Sequence, residues 1–254
     1  KSDGHQVAGS RYAPTAKDKD PAHLRGKAET TNPATCQACH GQAPHQEAKI
    51  NNHTNKLACQ TCHIPAYARG GQPTKMTWDW STAGKLDKDG KPYVEKDEDG
   101  YDTYMSIKGN FTWKENVTPE YVWFNGTVKY TLVGDKIEKT DKPVKINAFE
   151  GSATDGNSMI WPVKMFRGKQ AYDPVNKSLI IAHLGGNDDT AFWKNLNWDK
   201  AAATGMANAK AEFSGKIDFI ETESAWPITH MVAPKEKAVG CVECHTSNGR
   251  LEKI

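Results

Sequence analysis

Cys59-Gln60-Thr61-Cys62-His63 is one of three copies of a single pattern, the others being Cys36-Gln37-Ala38-Cys39-His40 and Cys241-Val242-Glu243-Cys244-His245. Together they use every cysteine of the chain. Two thiols three residues apart can form thioethers with the vinyl groups of a porphyrin, and a histidine directly after the second thiol can then bind the iron, so CxxCH is the attachment pattern of c-type haem. Disulfides, a zinc site or a thioredoxin-like redox pair would each account for the thiols without needing the histidines. Only covalent haem explains why His follows the second Cys every time. The expectation is a triheme cytochrome with three covalently attached haem c groups and their iron. Cys36, Cys39, Cys59, Cys62, Cys241 and Cys244 hold the cofactor, and His40, His63 and His245 are the proximal ligands.

Composition agrees with a chain that borrows its core. Of 254 residues 37% are hydrophobic and the mean hydropathy is −0.73, which is lean for this length. Three macrocycles would supply buried apolar surface that the side chains lack. Lys and Arg number 33 against 31 Asp and Glu, a formal charge of +2, with no basic run or patch that suggests nucleic acid. About six propionates, set against roughly one positive charge on each ferric core, bring the oxidised holoprotein to about −1. The bare-chain pI of 8.2 therefore says nothing about anionic partners. No stretch approaches the ~20 apolar residues of a membrane span. C-type haem is attached outside the cytoplasm, so an exported bacterial protein, periplasmic or extracellular, is expected. The opening Lys1-Ser2-Asp3-Gly4 then reads as a mature or cut chain whose signal peptide is gone.

Three segments are distinguishable. Residues 1–70 are polar and proline-punctuated, with turns expected at Asn32-Pro33 and Ala43-Pro44, and carry two motifs so close that their haems must be neighbours. Residues 71–185 hold no haem motif and read as a partly β insertion with a binding or docking surface. Tyr121-Val122-Trp123-Phe124 and Thr127 to Val133 flank Asn125-Gly126, a strong hairpin signal, and Ser178 to Ala182 reads as another strand. Residues 186–254 turn helical. Asp188-Asp189-Thr190 can cap a helix from Ala191 to Leu196, and a second helix from Trp198 ends near Gly205, before the third haem site. The expected fold is mainly irregular, with short α-helices and a minor β-hairpin region. It is a multihaem cytochrome c architecture, one compact unit organised around closely packed covalent haems.

A six-coordinate electron-transfer haem needs a second axial ligand, and histidine is the usual one in multihaem chains. Six histidines remain: His5, His23, His45, His53, His183 and His230. His45 follows His40 too closely to reach the opposite face of the same iron, so as a ligand it serves another haem. His53, just before Cys59, has a similar restriction on a longer tether. His230 has enough chain before Cys241 to reach its own haem or a neighbour. His53, His230 and His45 lead as distal ligands, with His5, His183 and His23 as further distal candidates whose bland role is a hydrogen-bonded or solvated imidazole. Met231 beside His230 is the one methionine in suggestive company, and packing is its ordinary role. Six candidates for three irons leave three over, and extras placed like ligands would point at haems outside this chain.

Asp87-Lys88-Asp89-Gly90 and Asp97-Glu98-Asp99-Gly100 resemble the start of a calcium loop. Neither completes an EF-hand: counted from Asp87 the sixth place is Pro92, and counted from Asp97 the twelfth is Lys108. Solvated acidic turns are the reading, with an irregular calcium site as the alternative.

Longer strings carry a family resemblance. These are His53-Thr54 leading into Ala58 to Pro65, Trp78-Asp79-Trp80-Ser81-Thr82-Ala83-Gly84-Lys85, Tyr121 to Gly126, and Trp226-Pro227-Ile228-Thr229-His230-Met231-Val232-Ala233-Pro234 running on to Ala238. By these the chain resembles the carboxy-terminal, three-haem part of the octahaem tetrathionate reductase family. That family carries eight haems and an active-site haem with a lysine proximal ligand, whereas this chain has three motifs and no CxxCK. The function expected is electron transfer through closely spaced bis-His haems, as a module of a larger multihaem assembly. Its partners would be other redox proteins or haem-bearing subunits. One alternative, implied by the resemblance, is part of a reductase of tetrathionate, nitrite or hydroxylamine, for which Lys164, Arg167 and Lys169 are the only loose oxyanion-binding candidates. The other is a subunit of an extracellular cytochrome filament that self-assembles by sharing distal histidines.

Overall fold

The computed structural model describes residues 36–138 and 141–254. Ten strands join in one mixed sheet: β1 (Thr74–Asp79), β2 (Val94–Lys96), β3 (Asp102–Met105), β4 (Gly109–Lys114), β5 (Glu120–Phe124), β6 (Val128–Tyr130), β7 (Val144–Phe149), β8 (Met159–Asp173), β9 (Ser178–Leu179) and β10 (Asp218–Pro227). Their order is β2-β3-β4-β1-β8-β10-β7-β6, with β5 and β9 also pairing β8. This overturns the expectation of a mainly irregular fold with only a minor hairpin. Beyond the runs that become β5, β6 and β9, strands such as β1 and β7 escape notice because they are half-buried along almost their whole length and lack a clean alternation of apolar and polar residues. The 15-residue β8 carries Pro162 and Gly168, two residues that ordinarily argue against a strand interior.

Strand β8 organises the sheet. It runs antiparallel to β10 from Val163 to Tyr172, and its other edge takes β5 at Met159 to Val163, β1 at Arg167 to Lys169 and β9 at Tyr172 to Asp173. The β1–β8 and β10–β7 pairs are parallel and the remainder antiparallel. Strand β10 lies between β8 and β7 although its sequence is rich in Glu, Ser and Thr; pairing on both edges satisfies its backbone donors and acceptors whatever its side chains are.

The expected hairpin is also corrected. Both runs around Asn125-Gly126 are strands, but β5 pairs β8 and β6 pairs β7, so the two do not pair with each other. Asn125 N donates to Glu150 O and Glu150 N to Thr127 O, which turns the chain outward onto β7 instead of back on itself. Partners with more apolar surface outbid the local turn.

Among the described residues six short helices accompany the sheet: α1 (Cys36–His40), α2 (Ala48–His53), α3 (Cys59–His63), α4 (Phe192–Asn195), α5 (Trp198–Asn208) and α6 (Cys241–Cys244). All three CxxCH motifs are single helical turns. α5 runs through Gly205 rather than ending there. It starts at an Asn197 cap, whose side chain accepts from Lys200 N. A Cβ on Gly205 would lie 2.0 Å from Ile181 O and 2.6 Å from His183 N. Glycine is therefore required here by close approach, not by turn geometry. Gly205→Ala would ordinarily favour a helix by about 1 kcal/mol. Here it is expected to destabilise the protein by about 2–3 kcal/mol through overpacking, read as a lower urea midpoint of the haem-loaded protein; a raised midpoint would refute the close approach.

Candidate haem centre

The segment around α3 is tied to the sheet by its backbone. Ala58 N donates to Ile160 O at 3.0 Å, Ile160 N to Lys56 O at 2.7 Å, and the buried Thr61 Oγ1 to Ile160 O at 2.7 Å. Beyond His63, Ile64 is fully buried with Tyr67, Ala68 and Ile228, and Tyr67 and Val117 exchange both backbone bonds. The apolar residues that look unremarkable in sequence thus pack the second motif onto β8 and onto the segment that leads into β5.

The other two motifs gather around it. Gln37 Nε2 reaches Cys59 Sγ at 3.5 Å, and Cys36 donates its thiol to Cys59, which pushes the Cys36 thiol up. Burial pushes the Cys62 thiol up to about 11, with Cys244 and Cys241 adding to the rise. On the third side, Val239 N donates to Cys62 O at 2.9 Å and Ala233 N to His63 O at 2.8 Å. The described cysteines form no disulfide; the side chain of Cys39 lies outside what is described.

Two of the candidate distal histidines face proximal ones. The ring centres of His45 and His63 are 5.9 Å apart with planes inclined by 15°. Those of His53 and His245 are 6.0 Å apart at 28°. Two metal–nitrogen bonds of about 2 Å each, with about 1 Å from each nitrogen to its ring centre, place two axial imidazoles about 6 Å apart. The observed pairs have that separation. Among the described residues no group of three His, Cys, Asp or Glu converges on a metal position. Haem iron needs only two protein ligands because the porphyrin supplies the other four. Pairs of imidazoles beside helical CxxC turns fit haem c.

Local structure prepares His45 for this role. Asn51 accepts from His45 N at 3.0 Å, donates to His45 O at 2.7 Å, and presents its Oδ1 3.1 Å from His45 Nδ1. An amide oxygen only accepts, so Nδ1 carries the proton and the lone pair is left on Nε2, the atom a metal would take. Asn51 escapes sequence reading because an asparagine six residues away carries no motif. The short α2 and the loop before it supply His45 to the second motif and His53 to the third. His45 thus faces the ring of His63 and not that of His40, its neighbour in sequence.

The remaining histidines are placed differently. His183 Nε2 lies 2.9 Å from Asp188 Oδ2, in the turn before α4. Hydrogen bonds from Thr190 and then His183 hold the Asp188 carboxyl well below the usual carboxylate range. His230 is exposed. It stands on a corner where Met231 has a left-handed φ of 70° and its carbonyl accepts from Arg69 Nη2. Arg69 Nε is buried with no partner among the described residues. His40 ends α1 and is exposed. His5 and His23 lie outside the described residues.

The loose oxyanion candidates do not converge. Alternation along β8 puts Lys164 on one face and Arg167 and Lys169 on the other. Lys164 Nζ donates to Thr74 Oγ1 at 2.6 Å, and Arg167 forms a bidentate pair with Glu120 at 2.8 and 2.9 Å. In both acidic turns the leading aspartate is used locally: Asp87 Oδ1 accepts from Asp89 N and Lys91 N, and Asp97 Oδ1 from Asp99 N and Tyr101 N. No helix among the described residues is long and apolar enough to cross a membrane.

Comparison with known proteins bears on the same centre. A family model described as bacterial cytochrome c matches residues 75–248, more than half of the chain. The crystal structure of octaheme cytochrome c from Shewanella oneidensis superposes with a TM-score of 0.78 at 40% sequence identity, covering 85% of this chain and 49% of that one. The chain thus spans about half the length of that relative. No curated protein matches. The resemblance to multihaem cytochromes read from the sequence agrees with both findings.

Proposed function

The chain belongs to the bacterial cytochrome c family, and from that premise we propose that it is a triheme electron-transfer module of a larger multihaem assembly. Family membership carries covalent haem c, a haem-based redox role and export from the cytoplasm; the haem count, the ligand set and a periplasmic or extracellular setting are the proposal. When bound, haem c supplies a one-electron ferric–ferrous couple at each site.

The observation that carries the reading is the pair of facing imidazoles, His45 with His63 and His53 with His245. Each pair would offer a haem iron two protein ligands and leave no open position for a substrate, the arrangement that suits electron transfer rather than catalysis. Cys59 and Cys62 anchor the second site, Cys241 and Cys244 the third, and Cys36 and Cys39 the first, whose proximal residue is His40. Asn51 holds the His45 ring in its tautomer. The buried Thr61, bonded to Ile160 O, and the buried Ile64 hold the chain on both sides of His63.

Membership of a larger array is supported by His230. It is an exposed imidazole without a partner among the described residues, displayed between the buried Ile228 and Ala233, whose backbone bonds reach Pro162 O and His63 O. An imidazole held this firmly at the surface beside the second site suits ligation of an iron carried elsewhere, in a further segment or a neighbouring subunit. Pyridine haemochrome quantification against peptide mass, with electronic spectra before and after cyanide, tests the proposal. Three low-spin haems per chain indifferent to cyanide are expected; fewer haems, or a ligand-responsive fraction in the native protein, would overturn it in favour of the reductase reading.

A further inference from the structure

One side chain joins the second and third attachment segments. Arg250 Nη1 donates to Pro65 O at 2.7 Å, two residues past His63, and Arg250 Nε and Nη2 donate to Glu243 Oε1 at 3.0 and 2.7 Å, inside the third motif. The Arg250 side chain is only 17% exposed, and its Nη1 also lies 3.4 Å from Tyr121 Oη on β5. Glu243 uses its other oxygen, Oε2, to accept from Gly240 N at 2.8 Å, directly before Cys241. That backbone bond, followed by Arg250, holds the Glu243 carboxyl below its ordinary value.

The turn that delivers Arg250 has no slack. Arg250 N donates to Glu243 O at 2.8 Å. The neighbouring Gly249 is buried, and a Cβ there would lie 2.3 Å from Cys244 O and 3.0 Å from Thr246 O. The guanidinium is therefore aimed from a turn pressed onto the end of α6 toward the carbonyl that follows the second motif. A planar fork with donors on two sides can bond both at once, which a single ammonium cannot do in the same geometry.

We propose that Arg250 is a positioning residue for electron exchange: it clamps the Cys59–His63 and Cys241–His245 segments in fixed register and so sets the separation and relative orientation of the second and third haems. This rests on the triheme reading above. Its own residue-level basis is independent of the distal ligands, because both ends of the clamp lie on the attachment side. Glu243 acts through Arg250 and through Gly240. The middle residues of CxxCH are free of any chemical requirement, yet Glu243 is the one that fixes where its helix sits.

The test uses the haem-loaded protein and the variants Arg250→Ala, Arg250→Lys and Glu243→Gln. Haem content and low-spin spectra are measured first: a wild-type chain with fewer than three haems refutes the triheme reading and not the clamp. With three haems present, the reading is the redox interaction between two haems in a potentiometric titration, together with their magnetic coupling in the electron paramagnetic resonance spectrum of the oxidised protein. Arg250→Ala is expected to weaken both several-fold while leaving every iron low-spin. Arg250→Lys, which keeps the charge and loses the fork, is expected to weaken them similarly, and Glu243→Gln to a smaller degree. Wild-type coupling in Arg250→Ala, or full rescue by lysine, would overturn the clamp. If Arg250→Ala fails to mature, Arg250→Lys alone decides, because wild-type coupling in it contradicts a geometric role.

Discussion

His53→Ala, made in the haem-loaded protein, is expected to convert one haem from low spin to high spin and to open it to cyanide, and His45→Ala is expected to do the same to a different haem. The His53 and His245 ring centres lie 6.0 Å apart and those of His45 and His63 5.9 Å apart, so on the proposed reading the two histidines serve different irons. An alanine leaves the iron with only its proximal imidazole, and an exogenous ligand then competes for the vacated face. The double variant should show two high-spin haems per chain, because the sites share no ligand. Added imidazole should restore the low-spin spectrum of each single variant. One opened haem in the double variant would mean that both histidines serve the same iron. No opened haem in either single variant would remove them from the ligand set altogether. Because α2 and the loop before it supply both residues, loss of either also tests whether this short stretch bridges two haem sites.

Asp173→Ala is expected to destabilise the protein by about 3–5 kcal/mol, the range for breaking a fully buried charged network. Asp173 ends β8 with no exposed surface. Its Oδ1 accepts from Val175 N and Asn176 N at 2.9 Å each and from Ser214 Oγ at 2.7 Å; its Oδ2 accepts from Ser214 N at 2.7 Å and Asn176 Nδ2 at 3.1 Å. It staples the β8–β9 turn to the loop that leads into β10, so its loss loosens the central pair of the sheet. At about 2–4 °C per kcal/mol for a chain of this size, the melting temperature should fall on the order of 10 °C. Asp173→Asn is no remedy, since an amide nitrogen would oppose donors from Asn176 or Ser214.

The same residue gives a pH dependence. Burial alone would raise the Asp173 carboxyl, but the donors from Asn176, Ser214 and Val175 outweigh it and hold the carboxyl below its ordinary value. A depressed folded-state pKa means that the stabilisation is fully present above the unfolded carboxylate value of about 3.9 and is lost as the pH falls through the folded value. Urea midpoints measured from pH 6 downward should therefore fall more steeply in the wild type than in Asp173→Ala. Parallel curves, or an unchanged midpoint at neutral pH, would show that the staple contributes nothing.

The β architecture was hidden from the sequence for a physical reason. Periodicity reports burial on one face, and β1 and β7 are half-buried along almost their whole length, so no alternation appears there. Asn125-Gly126 is a strong local turn, yet the strands on either side of it pair with β8 and β7, which no local signal names. Gly205 reads as a helix stop, and only the approach of Ile181 O shows that it is a packing glycine within a helix. Conversely the Asn197 cap and the helix after it obey local rules, and the sequence places that helix near Trp198.

The cofactor chemistry was legible residue by residue, because covalent attachment demands two thiols and a histidine in consecutive turns of chain, a requirement local enough to be written in five residues. The short tether from His40 to His45 likewise argued that the two could not share one iron, and the His45 ring faces His63 instead. What only the tertiary structure decided is which rings face each other, His45 with His63 and His53 with His245, that Asn51 anchors His45, and that Arg250 joins two attachment segments that lie far apart in the chain. Those choices depend on distances between segments carried together by β8 and its neighbours, and through-space distance is the one quantity that spacing along a chain does not encode.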